Sequence, residues 1–346
     1  MGATAEERRS FAGALAAAAG RLAAEQRADG EIPVSLCRAG ETGAGSPDRT
    51  LFATALALPF LDFLAASGAP RAAGLPGAAR GFLRRERGRG DLVRFWPRSH
   101  PRGRALPPDL DDTAAVARAL GARRPARLGR LLAAQRDGRG RLRTWLLPRS
   151  AVGLLRFPEL LTALPLVSAR HPFWTRSEAH RDDVDAGANA QALAWLGDRP
   201  ELAAAAAWLC ELARTGREEA ADRWHRRWGV RWLVARAAER APSLAAAAHA
   251  LAARVGEEAG ELTRAGVAAD VALGLATGTA VGAPAPARAA LAARLLAEQD
   301  AEGSWPRAGI WFGGPRRTVD WGSAALTTAF AAGALAAELA RRDGTG

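Results

Sequence analysis

The stretch Leu295-Leu296-Ala297-Glu298-Gln299-Asp300-Ala301-Glu302-Gly303-Ser304-Trp305 decides the fold, because related phrases recur along the chain. Each phrase has an apolar pair, then Gln or Glu, then Gly, and often Trp; the other copies begin at Leu22, Phe82 and Leu131. Such a phrase predicts a helix that ends by turning through Gly, with an aromatic residue packed beyond it. The copies recur at multiples of about fifty residues, which corresponds to two helices per repeat unit.

Between these phrases, amphipathic Ala/Leu segments alternate with loops of Gly, Pro and Arg, and no segment alternates with period two. The pattern predicts an all-α chain without a sheet. We expect helices near 7–26, 49–67, 74–87, 110–121, 125–135, 151–165, 184–197, 200–214, 224–239, 242–256, 265–277, 286–299 and 322–341.

A second signal is the motif Asp109-Leu110-Asp111-Asp112-Thr113-Ala114, which follows two prolines and opens an Ala-rich helix. Three carboxylates this close cannot all be ionised in a low-dielectric site, so at least one pKa must rise and the cluster can hold a proton. Such a carboxylic acid could protonate a base as weak as an alkene. The structural alternative is that Asp109 caps the helix, that Asp112 completes a capping box, and that the macrodipole stabilises both.

The pattern DxDDTA resembles the acid motif of class II terpene cyclases, the group of the squalene-hopene and diterpene cyclases. Gln299-xxx-Gly303-x-Trp305 is similar to their QW motif, which protein prenyltransferases share and which therefore indicates fold rather than activity. The resemblance implies an (α/α)6 barrel whose inner helices line an apolar cavity. The chain has room for one barrel, so residues 1–346 are predicted to form a single domain like the monodomain cyclases.

The resemblance also implies roles for individual residues. Asp111 matches the proton donor, and Asp109 and Asp112 match the carboxylates around it. The family often stabilises its acid with a His or an Asn, for which the candidates in this chain are His171, His180 and Asn189. Asp185 and Asn189 are four residues apart on one helical face, which we expect to point into a wet cavity or to solvent.

Aromatic residues are the natural wall of such a cavity, because a ring face stabilises a carbocation without quenching it. The chain has eleven Trp and ten Phe. The residues predicted to line the cavity are Phe173, Trp174, Trp311, Phe312 and Trp321. A stripe formed by Trp224, Trp228 and Trp232 is typical of helix packing and could also serve at a cavity wall.

The segment 313–323 vaguely resembles the zinc-binding stretch of prenyltransferase β-subunits. Gly322 stands where the Cys ligand would be and no His follows Asp320, so the ligands for zinc are too few. We therefore predict no metal and no redox cofactor, although Mg²⁺ could accompany a diphosphate substrate. The neighbouring Arg316 and Arg317 are predicted to be exposed or to meet an anionic headgroup.

The net charge of +12 rests entirely on Arg, since Lys is absent, which fits a coding bias. No nucleic-acid-binding module accompanies the charge. Solvated surface is the first interpretation and contact with a membrane surface is the second. Cys37 and Cys210 lie far apart, and neither a signal peptide nor an uncharged apolar span is present. These features predict a reduced, cytoplasmic protein with peripheral membrane contact at most.

The sequence therefore predicts a class II terpene cyclase that protonates a linear polyprenyl chain, either a prenyl diphosphate or a polyprenylated aromatic. Two alternatives stay open. One is a prenyltransferase-like toroid acting on a small molecule, and the other is a toroid that binds a lipid or a protein without catalysis. The three acids discriminate, because a binding barrel has no use for buried carboxylates that are costly unless paired.

Overall fold

A computed structural model describes residues 4–41, 43, 45–87, 92–121, 126–150 and 157–344. Short 3-10 turns precede or connect several of the helices. Over the described residues the α-helices are α1 (Ala5–Glu25), α2 (Leu51–Ala66), α3 (Leu75–Glu86), α4 (Leu110–Ala119), α5 (Ala126–Ala133), α6 (Pro172–Arg176), α7 (Ala186–Leu196), α8 (Ala203–Thr215), α9 (Arg227–Ala238), α10 (Ala245–Ala265), α11 (Ala268–Val281), α12 (Ala285–Glu298) and α13 (Ala324–Arg342).

The predicted helices are confirmed apart from their ends and one segment. The helix expected near 151–165 is a 3-10 helix over Pro158–Leu166, and residues 151–156 lie outside the described ranges. Within those ranges, no helix is both long enough and apolar enough to cross a lipid bilayer.

Six helices form an inner ring in which each packs against the next, in the order α2, α4, α7, α9, α11, α13 and back to α2. Inner helices are buried nearly all round; every residue of α7 is buried. Outer helices such as α10 bury a single stripe, which comprises Ala247, Leu251, Val255, Ala259 and Leu262. This two-layer arrangement is the predicted α/α barrel. That residues 1–346 form a single domain stays a prediction.

The repeated Gln-to-Trp phrase joins successive units of the barrel. The side-chain amide of Gln299 donates to the backbone carbonyl of Ala14 (2.9 Å), on the outer helix α1. Trp305 is fully buried, and its indole N–H donates to the carbonyl of Leu295 (2.9 Å). Gln26 donates in the same way to two carbonyls, at 2.9 and 3.2 Å. The indole of Trp305 thus satisfies a carbonyl in the last turn of α12, and the two Gln side chains tie the ends of α1 and α12 to the backbone of neighbouring elements.

The prediction of no sheet is wrong. Strands β1 (Val34–Arg38), β2 (Ser46–Asp48), β3 (Ala308–Gly313) and β4 (Val319–Ser323) form an antiparallel sheet in the order β2-β1-β4-β3. The strands have three to six residues, too few for a period-two pattern to stand out. Strand β4 leads directly into α13, so the sheet lies at the end of the barrel where inner helices begin.

Candidate active site

A cavity of about 230 Å³ lies beside the first residues of α2 and α4 and the segment that precedes α9, against strands β3 and β4. Its surface is mostly apolar and aromatic. Four aromatic residues predicted from the sequence line it, namely Phe173, Trp311, Phe312 and Trp321. Trp224 of the tryptophan stripe also lines it, as do four aromatic residues that the prediction missed, namely Phe52, Phe95, Trp96 and Trp145.

The three acids of the motif stand at the wall of this cavity, where α4 begins. Asp109 is the N-cap, and its Oδ1 accepts from the backbone N–H of Asp112 at 2.7 Å. The capping alternative is thus correct as local structure, yet these two side chains are only 5% and 3% exposed. A helix cap at the protein surface is solvated and stays ionised. Because this one is buried among aromatic rings, its carboxyl groups can keep a proton.

Burial changes the protonation of the pair. It raises the pKa of Asp109 from 3.8 to about 7, and it raises the pKa of Asp112 well above its usual range, with the neighbouring carboxylate adding to the effect. One proton therefore stays between these two side chains at neutral pH.

Asp111 lies beside a histidine that the sequence analysis did not select. The Oδ2 atom of Asp111 is 3.1 Å from Nε2 of His225, and the Asp111 side chain keeps 15% of its surface open to the cavity. Within the described chain, Oδ1 of Asp111 has no hydrogen-bond partner. Burial raises the pKa of Asp111, while the positive charge of His225 opposes the rise. The arrangement favours a protonated acid whose conjugate base is stabilised by a cation.

Asp222 orients His225 from the opposite side. Its Oδ1 lies 3.0 Å from Nδ1 of the imidazole and also accepts from the backbone N–H groups of Trp224 and His225 (both 2.9 Å). Its Oδ2 accepts from the N–H of Gly187 at 2.7 Å. Although burial opposes it, these donors and the charge of His225 lower the pKa of Asp222. A fixed carboxylate therefore holds the imidazole in one orientation towards Asp111.

The charge of His225 follows from its two partners. Burial alone would lower the pKa of the imidazole, but Asp222 and Asp111 outweigh burial and raise it well above its usual range. A buried imidazolium between two carboxyl groups is the result. Arg317 fixes the same loop, because its guanidinium donates to the backbone carbonyls of Asp222 (2.6 Å) and Arg223 (3.0 Å). The prediction that Arg317 is simply exposed is therefore wrong.

The predicted partners of Asp111 are corrected. His171 caps α6 by accepting from the N–H of Phe173 (3.2 Å), and His180 is exposed and accepts from the N–H of Asp182 (3.2 Å). Asn189 is fully buried, and its amide is used on the backbone of Leu142 (2.9 Å in both directions). It is not among the residues that line the cavity, and a substrate contact of Asn189 stays a prediction.

Two further predicted residues lie behind the cavity wall or beside it. Trp174 packs at 4.6 Å from Phe173, and its indole donates to a backbone carbonyl, so it supports the wall without lining it. Asp185 lines an adjoining pocket of about 610 Å³. Its carboxylate accepts from Thr144 (2.6 Å) and from the indole of Trp224 (3.1 Å), and burial raises its pKa to about 7. A substrate contact of Asp185 stays a prediction.

The tryptophan stripe divides into two roles. Trp224 precedes α9 and lines the cavity, whereas Trp228 and Trp232 are buried in packing, with Trp232 stacked on Phe60 at 4.9 Å. Asp320 pairs with Arg307 at 2.5 Å and is buried. Among the described residues no group of three His, Cys, Asp or Glu side chains could hold a metal ion.

Comparison with known proteins connects this geometry to a fold. No family model matches the chain, and no curated protein matches it. Solved structures do match over nearly the whole length, and the fold is that of the type II terpene cyclases.

Among these structures is the apo form of the type II terpene cyclase MstE from Scytonema. It is 17% identical, with a TM-score of 0.62 over 96% of this chain and 99% of that one. An MstE variant in complex with geranylgeranyl dihydroxybenzoate, its substrate, is 16% identical, with a TM-score of 0.60 over 96% and 98%. A protein from Actinoplanes is 19% identical, with a TM-score of 0.64 over 95% and 99%.

Proposed function

We propose that this protein is a class II terpene cyclase in which Asp111 protonates the terminal alkene of a linear polyprenyl chain. The observation that carries the proposal is the line Asp222–His225–Asp111, which ends at an aromatic cavity. A carboxylic acid that keeps its proton in an apolar site, beside a cation that stabilises its conjugate base, is what protonation of an alkene requires.

The chemistry begins when the alkene π electrons form a C–H bond with the carboxyl proton of Asp111. This leaves a carboxylate beside the imidazolium of His225 and a tertiary carbocation in the chain. Successive alkenes attack the cation and close rings, while ring faces such as those of Phe95, Trp311 and Trp321 stabilise the moving charge. Loss of a proton, or capture of water, ends the cascade. The mostly apolar, aromatic lining of the cavity disfavours water near the cation and so delays that capture.

The pocket that adjoins the cavity bears on the headgroup. It shares Trp224, Gly313 and Gly314 with the cavity, and its walls carry both charges. Two of its arginines face acids, Arg317 with Glu219 at 3.3 Å and Arg223 with Glu178 at 3.8 Å. A diphosphate needs an excess of positive charge, so this mixed wall favours a polyprenylated aromatic with a smaller charge. MstE was captured with a substrate of that kind.

The test compares the wild type with Asp111→Asn on prenylated hydroxybenzoates and on farnesyl and geranylgeranyl diphosphates. Asn has the same shape but no acidic proton, so cyclisation should fall at least about 100-fold while the fold is kept. Products are identified by mass spectrometry with chromatographic retention, since cyclisation by proton loss leaves the mass unchanged. Asp343→Asn, an exposed acid in the last residues of the chain, is the matched control.

Cyclised product from Asp111→Asn at the wild-type rate would refute the acid assignment. Saturable binding of the polyprenyl compounds without turnover by the wild type would favour the alternative of a non-catalytic binding barrel.

A further inference from the structure

A second cavity lies at the opposite end of the same inner helices. Helices α2, α4 and α9 start near the active site, where Phe52, Asp111 and His225 meet. Near their C-terminal ends they border a groove of about 350 Å³ that also meets α3. Since α4 rises about 1.5 Å per residue, its Arg118 in the groove is about 10 Å along the helix from Asp111. The groove is therefore separate from the proposed catalytic site.

The two walls of this groove differ in character. Helix α2 supplies a mostly apolar wall that includes Leu58, Pro59 and Phe63, and Phe63 is 40% exposed. The one acid on this wall, Asp62, pairs with Arg80 at 2.7 Å. The facing wall carries three arginines, Arg80, Arg118 and Arg236. A cationic wall opposite an apolar one is suited to an anion with or without a hydrocarbon chain.

Arg80 is neutralised by Asp62, whereas Arg118 and Arg236 are incompletely neutralised. Arg236 pairs with Glu239 at 2.8 Å, but its Nε is buried and has no hydrogen-bond partner in the described part of the chain. Arg118 makes no hydrogen bond or ion pair through its side chain with any residue that the structure describes. Burial, and then the charges of Arg236 and Arg240, lower the pKa of Arg118 to about 10. Two adjacent guanidinium groups that lack full partners are costly, and an anion between them would remove that cost.

Helix-end electrostatics alone does not account for these arginines. Arg118 and Arg236 lie in the last turns of α4 and α9, where a cation is stabilised by the helix dipole. However, the neighbouring inner helices α2, α7 and α11 end without a basic residue in the last turn. Inner helices of this barrel therefore end stably without one, and the concentration of arginines in the groove calls for another reason.

We propose that the groove between the C-terminal ends of α2, α4 and α9 binds a phosphate-type oxyanion through the N–H groups of Arg118 and Arg236. The ligand is either free phosphate or the phosphate headgroup of an anionic lipid whose hydrocarbon lies on Phe63. Both sources present the same tetrahedral oxygens to the guanidinium groups. The proposal is independent of the terpene cyclase activity, because its test needs no polyprenyl substrate.

The experiment measures binding of inorganic phosphate by calorimetry, with chloride at matched ionic strength as the reference. Arg118→Gln is compared with Arg341→Gln, which removes an exposed arginine from the last turn of inner helix α13 at the same end of the barrel. We expect saturable 1:1 binding that weakens about tenfold or more in Arg118→Gln and is unchanged in Arg341→Gln. Flotation with vesicles of phosphatidylcholine, with and without phosphatidylglycerol, separates the lipid source from the free anion.

Arg118-dependent flotation only with phosphatidylglycerol assigns the site to a lipid headgroup, and Arg118-dependent binding of free phosphate assigns it to the small anion. Absence of both, or equal loss in the two variants, overturns the proposal. If Arg118→Gln does not fold, Arg236→Gln takes its place. A phosphate-specific rise in the melting temperature of the wild type serves as a second readout, and it should disappear in the folded variant.

Discussion

The Nε2 atom of His225 lies 3.1 Å from Oδ2 of Asp111, and this contact joins two segments of the chain that no local pattern connects. Because the pKa of His225 is raised by Asp222 and Asp111 against the effect of burial, the imidazole is positively charged at neutral pH. The charge stabilises the carboxylate that remains after proton transfer. The positive charge of His225 would therefore lower the barrier to proton transfer from Asp111 to an acceptor as weakly basic as an alkene.

Replacing His225 by Asn should lower the rate of cyclisation about 100- to 10,000-fold, because the conjugate base of Asp111 loses its cationic partner. Rates are measured on the substrate that the wild type turns over. His249→Asn, an exposed histidine on outer helix α10, should keep the wild-type rate. A His225→Asn enzyme with an unchanged rate would show that the imidazole is structural only.

Replacing Asp109 by Asn should stabilise the protein more at pH 8 than at pH 5. The folded pKa of Asp109 is about 7, above its ordinary 3.8, mainly because of burial. Between these two values the folded state binds more protons than the unfolded state, so the wild type loses stability as the pH rises through this window. Asn keeps the cap of α4 and does not ionise. The gain should reach about 1 kcal/mol or more above pH 7.

Calorimetric melts of both proteins across this pH range check the prediction. A difference in stability that stays constant with pH would contradict the raised pKa of Asp109. Asp343→Asn, which removes an acid at the protein surface that pairs with Arg8 at 2.8 Å, serves as the control.

Replacing Trp311 by Leu should slow cyclisation about 3- to 30-fold and increase products in which water has captured an early cation. Trp311 is only 3% exposed and meets Phe52 edge-on, with ring centroids 5.4 Å apart. Its removal takes away a ring face and opens the site to water. Trp174→Leu is the comparison, because Trp174 lies behind the wall. We expect that change to lower stability while the product distribution, read by mass spectrometry, stays the same.

Replacing Asp320 by Asn should cost about 3–5 kcal/mol of unfolding free energy, because it leaves the buried guanidinium of Arg307 unpaired. Denaturant titration measures the loss. The double change Asp320→Leu with Arg307→Met should recover most of it.

Elemental analysis of the wild type should find no stoichiometric zinc, and activity should survive chelators. One zinc per chain that disappears in Asp320→Asn would instead favour the prenyltransferase-like alternative.

The local features of this chain were predictable because each depends on residues that are close together in the sequence. Apolar spacing predicted the helices, and three acids at the start of α4 predicted a proton-holding site. Aromatic residues outside the predicted helices, such as Trp311 and Trp321, correctly pointed to the cavity, although they lie in strands β3 and β4. Each of these signals depends on residues within a turn or two of one another.

The features that were missed depend on contacts between distant segments. His225 was not predicted because no sequence pattern near it indicates that it contacts Asp111. Asp222, three residues before it, is a carboxylate within reach of the imidazole and could have selected it. Asn189 looked like a cavity residue because its helix is apolar, yet the backbone of Leu142 occupies its amide. The sheet was not predicted because its strands are short and its central pair, β1 with β4, joins opposite ends of the chain.

That last pairing has a consequence for how the protein is made. Ser35 in β1 and Gly322 in β4 are partners although 287 residues separate them, and the neighbouring residues Trp311 and Trp321 supply part of the cavity wall. During synthesis the acid motif at residues 109–112 emerges long before its aromatic surroundings exist. The motif can therefore become a buried, proton-holding acid only after residue 322 has left the ribosome and the ring has closed. The order of synthesis thus separates the appearance of the acid motif from the appearance of the aromatic cavity that lets it hold a proton.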